Sequence, residues 1–357
     1  MATIEETPLD LEKLEAFVFR AVDEVGATLN TALVVMGDRL GLYRALAGAG
    51  PLTSTELAKR TGTAERYVRE WLNAQAAGGY VEYDPESGRY TLPPEQALAL
   101  TDSESPAYLP GFFQIALGSV LDSPHITDAA QSGEGVGWHQ HNHNVFDGCE
   151  RFFRPGYYAN LLTSWLPALD GVVEKLERGA TVADVGCGHG SSTILMAKAF
   201  PSSTFIGSDY HEGSIETARE RARDAGVANA QFEVAPAAGF NGTGYDLVTM
   251  FDCLHDMGDP AGASRHVHES LAEDGTWMIV EPRAGDRIEE NLNPVGRAYY
   301  GFSTLLCTPA SLSQEVGLAL GAQAGEARIR DVVTNSGFTH FRRAAETPFN
   351  LVFEARR

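Results

Sequence analysis

The stretch TVADVGCGHG, residues 181–190, decides the fold. Its first half is apolar up to Asp184, as in a buried strand of a parallel sheet. The strand gives way to a turn with glycine at every second position: Gly186, Gly188 and Gly190. A second apolar run, FIGSDY at 205–210, places Asp209 at the end of the next strand. A glycine turn admits a ligand close to the backbone, and such an acid can accept hydrogen bonds from ribose hydroxyls, so the pattern predicts a nucleoside-bearing cofactor.

The glycine spacing favours S-adenosylmethionine over a dinucleotide. A dinucleotide site needs G-x-G-x-x-G and a helix N-terminus facing a pyrophosphate, whereas the third glycine here comes one residue early. S-adenosylmethionine has no phosphate. Asp184 is suited to the ammonium group of this cofactor, either by binding it directly or by supporting the loop, and Asp209 is suited to its ribose hydroxyls. On the glycine spacing alone, the alternative that the turn binds NAD or no ligand stays open. The residues expected to hold the cofactor are Asp184, Gly186, Cys187, Gly188, His189, Gly190, Asp209, Tyr210, Phe251 and Asp252.

Two further segments continue the pattern. YDLVTMFD at 245–252 predicts a third buried strand, and LAEDGTWMIVEP at 271–282 predicts a helix end, a turn at Gly275 and a fourth strand. This order of motifs, from Thr181 to the end of the chain, resembles the class I S-adenosylmethionine-dependent methyltransferases. The resemblance implies an α/β fold with a Rossmann-like, doubly wound sheet. Family members often carry an acid for the adenine amine where this chain has Pro-Ala-Ala at 236–238.

A candidate catalytic pair lies at the ends of the third and fourth predicted strands. His255 follows the strand at 246–251, at the sheet edge where open α/β sheets bind their ligands, and Glu281 ends the next strand. Histidine is the usual base for a hydroxyl proton at neutral pH, and a carboxylate on its other ring nitrogen fixes the tautomer. A helix-capping or packing role for His255, without proton transfer, stays open.

A second resemblance concerns the same pair. LHDMGD at 254–259, followed by VEP at 280–282, resembles the winged-helix small-molecule O-methyltransferases of plants and bacteria. It implies that His255 is the base and Glu281 orients it, with Met257 in place of the usual tryptophan. DVGCGHG, FDCLHDMGDP and NLNPVGRAYY together resemble a bacterial group of winged-helix methyltransferase-like proteins, often labelled transcriptional regulators. We expect methyl transfer to a small, largely apolar acceptor at oxygen; the alternative is a ligand-sensing winged-helix regulator.

Composition narrows the possible partners and compartments. A chain of 357 residues suits two domains, and a net charge of -21 disfavours binding to nucleic acid or anionic membranes. The four cysteines form no C-x-x-C motif, which fits a reduced, cytoplasmic protein. The acidic start of the chain, MATIEETPLDLEKLE, lacks the apolar core of a signal peptide, and no apolar run reaches the roughly 20 residues that span a bilayer.

The N-terminal region predicts helices. Apolar residues recur at helical spacing over 9–46, with breaks expected at Gly37 and Gly41. So long an apolar stripe needs a partner surface in this chain or in a second copy. With the family resemblance, it predicts a homodimer formed through the N-terminal domain.

A winged helix-turn-helix is predicted next. Thr53 and Glu56 form a capping box for a helix over 54–61, and Thr63 is expected to cap a helix that carries Tyr67, Val68, Trp71 and Leu72 on one side. A hairpin around residues 84–88 completes the module. Between residues 37 and 82 there are six basic and five acidic residues, so the basic face of a DNA reader is missing and the sequence disfavours nucleic-acid binding.

The sequence divides into residues 1–100 as winged-helix and dimerisation domain, 101–176 as helical connector and pocket roof, and 177–357 as methyltransferase domain. The residues expected to line the acceptor pocket are Trp138, His139, Phe146 and Phe153. On an extended strand His139, His141 and His143 could converge on a metal, but no carboxylate or cysteine completes the set, and we expect no metal. A helix over 324–336 and two antiparallel strands, 339–347 and 350–355, are predicted to close the chain.

Overall fold

The computed structural model describes residues 9–357. Part of the acidic start, for which we expect no signal peptide, therefore lies outside the described residues. The chain divides into two compact units between Leu117 and Gly118. The three-part division drawn from the sequence stays a prediction. In residues 9–357 no helix combines the length and the apolar character needed to cross a bilayer.

A long helix, α1 (Leu11–Arg39), begins the first unit. Asp10 caps it by accepting hydrogen bonds from the backbone N–H groups of Glu12 and Lys13, both at 3.1 Å. The break predicted at Gly37 is wrong, because the helix continues through it. A Cβ there would lie 2.5 Å from a ring carbon of Trp71, so glycine serves close packing at this position. The remaining helices of the unit are α2 (Leu42–Leu46), α3 (Ser54–Thr61), α4 (Glu65–Ala77), α5 (Pro94–Thr101) and most of α6 (Pro110–Leu121).

The helices and the hairpin form the predicted winged-helix module. The capping box is present, since Thr53 Oγ1 accepts from the backbone N–H of Glu56 and the Glu56 carboxylate accepts from that of Thr53. The cap predicted at Thr63 is wrong: Ala64 precedes α4, and the Thr63 hydroxyl instead bonds that of Thr61 at 2.8 Å. Tyr67, expected on the packed side of α4, is 75% exposed. The hairpin consists of β1 (Glu82–Asp84) and β2 (Arg89–Thr91).

A seven-stranded sheet forms the second unit, in the order β5-β4-β3-β6-β7-β9-β8. Strands β3 to β7 pair in parallel, whereas β9 pairs antiparallel with both β7 and β8. The strands are β3 (Thr181–Val185), β4 (Thr204–Asp209), β5 (Ala230–Val234), β6 (Tyr245–Phe251), β7 (Leu271–Pro282), β8 (His340–Glu346) and β9 (Asn350–Arg356). This is the Rossmann-like, doubly wound sheet predicted from the sequence, with the predicted antiparallel pair at its edge.

Helices and two apolar clusters cover the sheet. Val248 and Phe353 belong to one cluster, and Val182 and Met278 to the other, so the strands are buried on both faces. The helices are α7 (Ser123–Ser132), α8 (His143–Asn160), α9 (Val172–Arg178), α10 (Ser191–Ala199), α11 (Glu212–Asp224), α12 (Pro260–Ser270), α13 (Pro294–Phe302), α14 (Thr308–Leu312) and α15 (Gly325–Thr334).

The WHQHNH segment does not adopt the extended conformation that convergence of its histidines on a metal would need: Trp138–Gln140 is a 3₁₀ turn, and Asn142 caps α8 by accepting from the backbone N–H of Asn144 at 3.0 Å. A local prediction elsewhere in this unit is wrong. The helix end and turn expected before the fourth strand are instead part of β7, which begins at Leu271. A register shift absorbs the extra residues, and a Cβ at Gly275 would lie 2.6 Å from the Tyr245 carbonyl oxygen, so glycine permits the close approach.

Candidate active site

The glycine turn after β3 is fixed to the end of β4. The backbone N–H groups of Gly186 and Cys187 donate to the carbonyl oxygen of Ser208 at 2.8 and 3.0 Å, and the N–H of Gly188 donates to Asp209 Oδ2 at 3.0 Å. The three glycines of the turn have φ of 74, 51 and 76°, which favours glycine. A Cβ at Gly188 would meet no atom within 4 Å. The turn therefore presents bare backbone to open space at Gly188.

Asp184 lies beneath this turn and is fully buried. Its carboxylate accepts hydrogen bonds from the hydroxyls of Ser192 at 2.7 Å, Thr193 at 2.5 Å and Thr249 at 2.9 Å. Burial raises the pKa of Asp184, while these donors act in the opposite direction. Of the two roles that the sequence left open, this geometry suits support of the turn and of the start of α10.

Asp209 ends β4 beside the turn. Its Oδ1 accepts a hydrogen bond from the backbone N–H of His211 at 2.9 Å. Burial raises the pKa of Asp209, while the backbone N–H donors of His211 and Gly188 act in the opposite direction. Tyr210 follows and is 48% exposed. In the turn itself, Cys187 is buried, and the ring Nδ1 of His189 is buried with no hydrogen-bond partner in residues 9–357. Polar groups at this edge of the sheet are thus left available to a ligand.

His255 and Glu281 form a buried pair at the ends of β6 and β7. His255 Nδ1 lies 2.7 Å from Glu281 Oε2, and Glu281 Oε1 accepts from the backbone N–H of Leu254 at 3.0 Å. The two residues are 4% and 3% exposed. Burial alone would lower the pKa of His255, but Glu281 and the adjacent Cys307 thiol hold it well above its usual value. Because Nδ1 faces the carboxylate, Nε2 is the ring nitrogen directed away from Glu281.

The loop that carries His255 is held by a segment distant in sequence. The backbone N–H of Gly321 donates to the His255 carbonyl oxygen at 3.1 Å, and the Ser311 hydroxyl donates to the Met257 carbonyl oxygen at 2.7 Å. Gln314 Nε2 donates to the carbonyl oxygen of Asp256 at 3.2 Å. No residue spacing in this segment of the sequence signals these contacts.

Asp252 departs from ordinary backbone geometry directly after β6. Its φ is 51°, and its backbone N–H donates to the Val280 carbonyl oxygen at 2.7 Å. Oδ1 accepts from Asn350 Nδ2 at 2.8 Å, whereas Oδ2 is buried without a hydrogen-bond partner in the described chain. Burial raises the pKa of Asp252 well above its usual value, and the nearby Glu281 raises it further. Asn350, at the start of β9, is a site residue that sequence reasoning missed.

The residues predicted to line the acceptor pocket fall into two sets of contacts. Trp138 packs edge-on against Phe146 at a centroid distance of 5.4 Å, and Phe146 stacks on His211 at 5.0 Å, beside the end of β4. Phe153 instead stacks on Tyr157 at 6.5 Å, and Tyr157 packs on Phe251, the last residue of β6, at 5.1 Å. His139 is exposed on its 3₁₀ turn.

The three histidines of WHQHNH do not converge. His139 and His143 are exposed, whereas His141 is buried with its Nδ1 3.0 Å from Asp122 Oδ2. Burial lowers the pKa of His141. Within residues 9–357 no group of three or more histidine, cysteine or acidic side chains is placed to hold a metal ion.

The chemistry of these residues fits S-adenosylmethionine. The bare turn at Gly188 leaves room for a ligand against the backbone, and the Asp209 carboxylate stands beside it. Burial raises the pKa of the neighbouring Asp256 to about 7, with Asp209 contributing to the rise. Several acids crowded at one sheet edge suit a cofactor that carries positive charge at its ammonium and sulfonium groups.

Sheet order, glycine turn and acidic strand ends together define a class I S-adenosylmethionine-dependent methyltransferase fold, here with an N-terminal winged helix. Comparisons with known proteins agree. Residues 28–102 match the Rv2258c-like winged HTH domain, and residues 176–316 match a methyltransferase domain. The chain thus carries both domains, and S-adenosylmethionine is the cofactor of its class.

Individual relatives match either part of this chain or nearly all of it at low sequence identity. Trans-aconitate 2-methyltransferase of Variovorax paradoxus is 40% identical over 125 residues, covering 34% of this chain and 45% of that protein. This chain therefore matches less than half the length of that curated relative. An O-methyltransferase family protein from Burkholderia thailandensis has a TM-score of 0.69 at 16% identity, over 98% of this chain and 99% of its own. Human N-acetylserotonin methyltransferase, solved with S-adenosylmethionine, has a TM-score of 0.68 at 14% identity, over 100% and 99%. At these identities the two structures share the fold.

Proposed function

We propose that this protein transfers a methyl group from S-adenosylmethionine to an oxygen atom of a small, largely apolar acceptor, with His255 as the general base. The observation that supports this most is the buried His255–Glu281 pair, with 2.7 Å between Nδ1 and Oε2. Both oxygens of Glu281 are occupied, one by His255 and one by the Leu254 N–H. Such a carboxylate holds the imidazole in one orientation and one tautomer.

The proposed roles follow from this geometry. Bound S-adenosylmethionine supplies an electrophilic methyl group. The glycine turn and Asp209 hold the cofactor, and Asp184 supports the turn from below. His255 Nε2 takes the proton of the acceptor hydroxyl as the new oxygen–carbon bond forms, and Glu281 stabilises the imidazolium that results. The aromatic side chains of α8, Phe153 and Tyr157 among them, offer apolar walls to the acceptor.

Replacement of His255 tests the proposal. We expect His255→Ala to lower methyl transfer about a hundredfold to ten-thousandfold, the usual contribution of a general base, with unchanged affinity for S-adenosylmethionine. Release of S-adenosylhomocysteine in the presence of a panel of phenolic acceptors measures the rate of methyl transfer. Calorimetry measures the affinity for S-adenosylmethionine. His340→Ala, at an exposed histidine on β8, is the matched control. Wild-type turnover in His255→Ala on an accepted substrate would remove His255 from the mechanism.

We further propose that the winged-helix module is structural and that α1 pairs with a second copy of the chain. The match to a winged HTH family favours the rival regulator, but acidic residues of the module pair with four of its arginines, Arg44, Arg66, Arg69 and Arg89. Arg69 bonds both oxygens of Glu65 at 2.9 and 2.7 Å, and Arg89 lies 2.8 Å from Glu56. Salt-dependent, sequence-specific binding to its own upstream DNA in a gel shift would support the regulator instead.

We place the protein in the cytoplasm. All four cysteines are free thiols: Cys149, Cys187, Cys253 and Cys307. Free, largely buried thiols suit a reducing compartment. Fractionation of native cells would test this assignment.

A further inference from the structure

We propose that Asp252 is a specificity-determining residue that hydrogen-bonds a second oxygen of the acceptor, adjacent to the oxygen that receives the methyl group. The acceptors so selected are aromatic compounds with two neighbouring oxygen substituents, such as dihydroxyarenes. This inference rests on the proposed function. The sequence assigned Asp252 to the cofactor, and the structure supplies three reasons to assign it to the acceptor.

The backbone of Asp252 is the first reason. In residues 9–357 only Asp252, Val316 and Ala319 combine a side chain with a positive φ. Such conformations cost about 1–3 kcal/mol and persist where the surrounding structure enforces them, often at functional sites. The backbone N–H of Asp252 still donates to the Val280 carbonyl oxygen of β7, so the chain keeps its strand pairing up to Asp252 and departs from strand geometry at this residue.

The unpaired carboxylate oxygen is the second reason. Asn350 fixes Oδ1 at 2.8 Å, while Oδ2 is buried without a hydrogen-bond partner in the described residues. A buried polar atom left unpaired costs about 1–3 kcal/mol, a cost that a ligand oxygen removes. Asp184, one strand away, shows the contrast, because its carboxylate is fully engaged by three hydroxyls. The protein thus fixes the position of the Asp252 carboxylate but leaves one of its oxygens without a hydrogen-bond partner in the described residues.

The position of Asp252 in the sheet is the third reason. The glycine turn follows β3, on one side of β6, whereas Asn350 begins β9, two strands away on the other side. Asp252 therefore extends away from the cofactor turn, past β7 and its Glu281. Tyr157 of α8 and Tyr299 of α13 lie close enough for Asp252 to add to the rise in pKa that their burial causes.

These neighbours determine the shape of the acceptor. Asp252 and His255 both follow β6, and His255 lies close enough to Asp252 to lower the pKa of its carboxyl group. Tyr157 packs on Phe251 at 5.1 Å, which places aromatic rings beside the end of β6. A planar ring bound between His255 and Asp252 can present one oxygen to His255 Nε2 and its neighbour to Asp252 Oδ2. A site built to bond an oxygen discriminates strongly against the analogue that lacks it.

Binding of a matched ligand pair tests the proposal. The ligands are 2,3-dihydroxynaphthalene and 2-naphthol, titrated by calorimetry into the complex with S-adenosylhomocysteine. Asp252→Gly removes the carboxylate and suits the positive φ, and Asp252→Asn keeps a hydrogen-bonding side chain. Val316→Gly is the control for backbone relief, since Val316 also has a positive φ but is 68% exposed.

We expect wild type and Val316→Gly to bind the diol at least about tenfold more tightly than 2-naphthol, as for one hydrogen bond to a buried polar group. Asp252→Gly should lose that preference with unchanged affinity for S-adenosylmethionine, and Asp252→Asn should retain most of it. An unchanged preference in Asp252→Gly, no preference in wild type, or loss of cofactor affinity in Asp252→Gly would overturn the proposal. Failure of the proposed function would differ: the diol preference would persist while wild type methylated neither compound.

Discussion

Most of the buried acidic and histidine side chains in residues 9–357 lie in the second of the two compact units. In the N-terminal unit Arg66 pairs with Glu70 and Arg69 with Glu65 on the surface of α4, where side chains are 28–65% exposed. In the methyltransferase unit Asp184, His255 and Glu281 are 0–4% exposed at the ends of parallel strands. Exposed pairs add little stability, whereas burying charge is costly unless it is fully paired. The difference places the chemistry in the second unit.

The units also differ in their apolar surface. The second unit buries its strands on both faces, but α1 of the first unit exposes a long row of apolar side chains. Those residues are Leu11, Leu14, Phe17, Val18, Phe19, Val22, Val25 and Leu29. An exposed apolar row of this length marks an association surface. The contrast supports the proposal that the second unit carries the chemistry and the first unit the assembly.

The largest effect after that of His255→Ala is expected at Glu281. Glu281→Gln should lower methyl transfer up to about a hundredfold, because Gln neither fixes the imidazole tautomer as firmly nor stabilises its charged form. His255 must be neutral to act, so the rate rises with pH through its pKa. Glu281 raises that pKa and burial lowers it, so the acidic limb should move to lower pH in the variant.

A pH–rate profile measures this shift. Glu346→Gln, at an exposed carboxylate on β8, is the control and should leave the profile in place. An acidic limb at the same pH in Glu281→Gln and wild type would contradict the role of Glu281.

A smaller effect is expected at Asp184, and it concerns stability. Asp184→Ala leaves three buried hydroxyls without their acceptor and should lower the free energy of unfolding by about 3 kcal/mol. Glu70→Ala, which breaks an exposed pair in the other unit, should leave it nearly unchanged. Urea denaturation compares the two. Equal effects would mean that the units do not differ as described.

The smallest effect on activity is expected on α1. Val22 and Leu29, two helical turns apart, are 61% and 64% exposed. Val22→Glu/Leu29→Glu should shift the protein from dimer to monomer in light scattering, because charge would be buried at the interface. Val234→Glu, at a 48% exposed position in the other unit, should leave the dimer intact. A monomeric wild type would refute the assembly role.

Sequence reasoning succeeded where a general rule of sheet topology links the position of a residue in the sequence to its position in the fold. Parallel strands end at one edge of the sheet, so the positions of His255 and Glu281 after neighbouring strands brought these two side chains within 2.7 Å. It failed where contacts between residues distant in the sequence determine the local structure. Asn350 reaches Asp252 only through an antiparallel strand that returns 98 residues later. Gly37 resembles a helix breaker in sequence, but its packing partner Trp71 lies on another helix.

Local competition between strand and helix decides the conformation of the WHQHNH stretch. His139, His141 and His143 alternate as in a strand, yet the side chain of Asn142 caps a helix within the same stretch. The residues missed around His255 bond to backbone carbonyl oxygens, Ser311 through its hydroxyl and Gly321 through its backbone N–H. Contacts of this kind leave no chemical signature in the sequence.

Calorimetric titration of the wild-type protein with S-adenosylmethionine and S-adenosylhomocysteine, with NAD as control, tests the central claim most directly. The account predicts micromolar binding of both sulfur compounds and none of NAD, with the same affinities in His255→Ala. Absence of heat with both sulfur compounds, or binding of NAD, would contradict the assignment of the glycine turn and Asp209 to this cofactor.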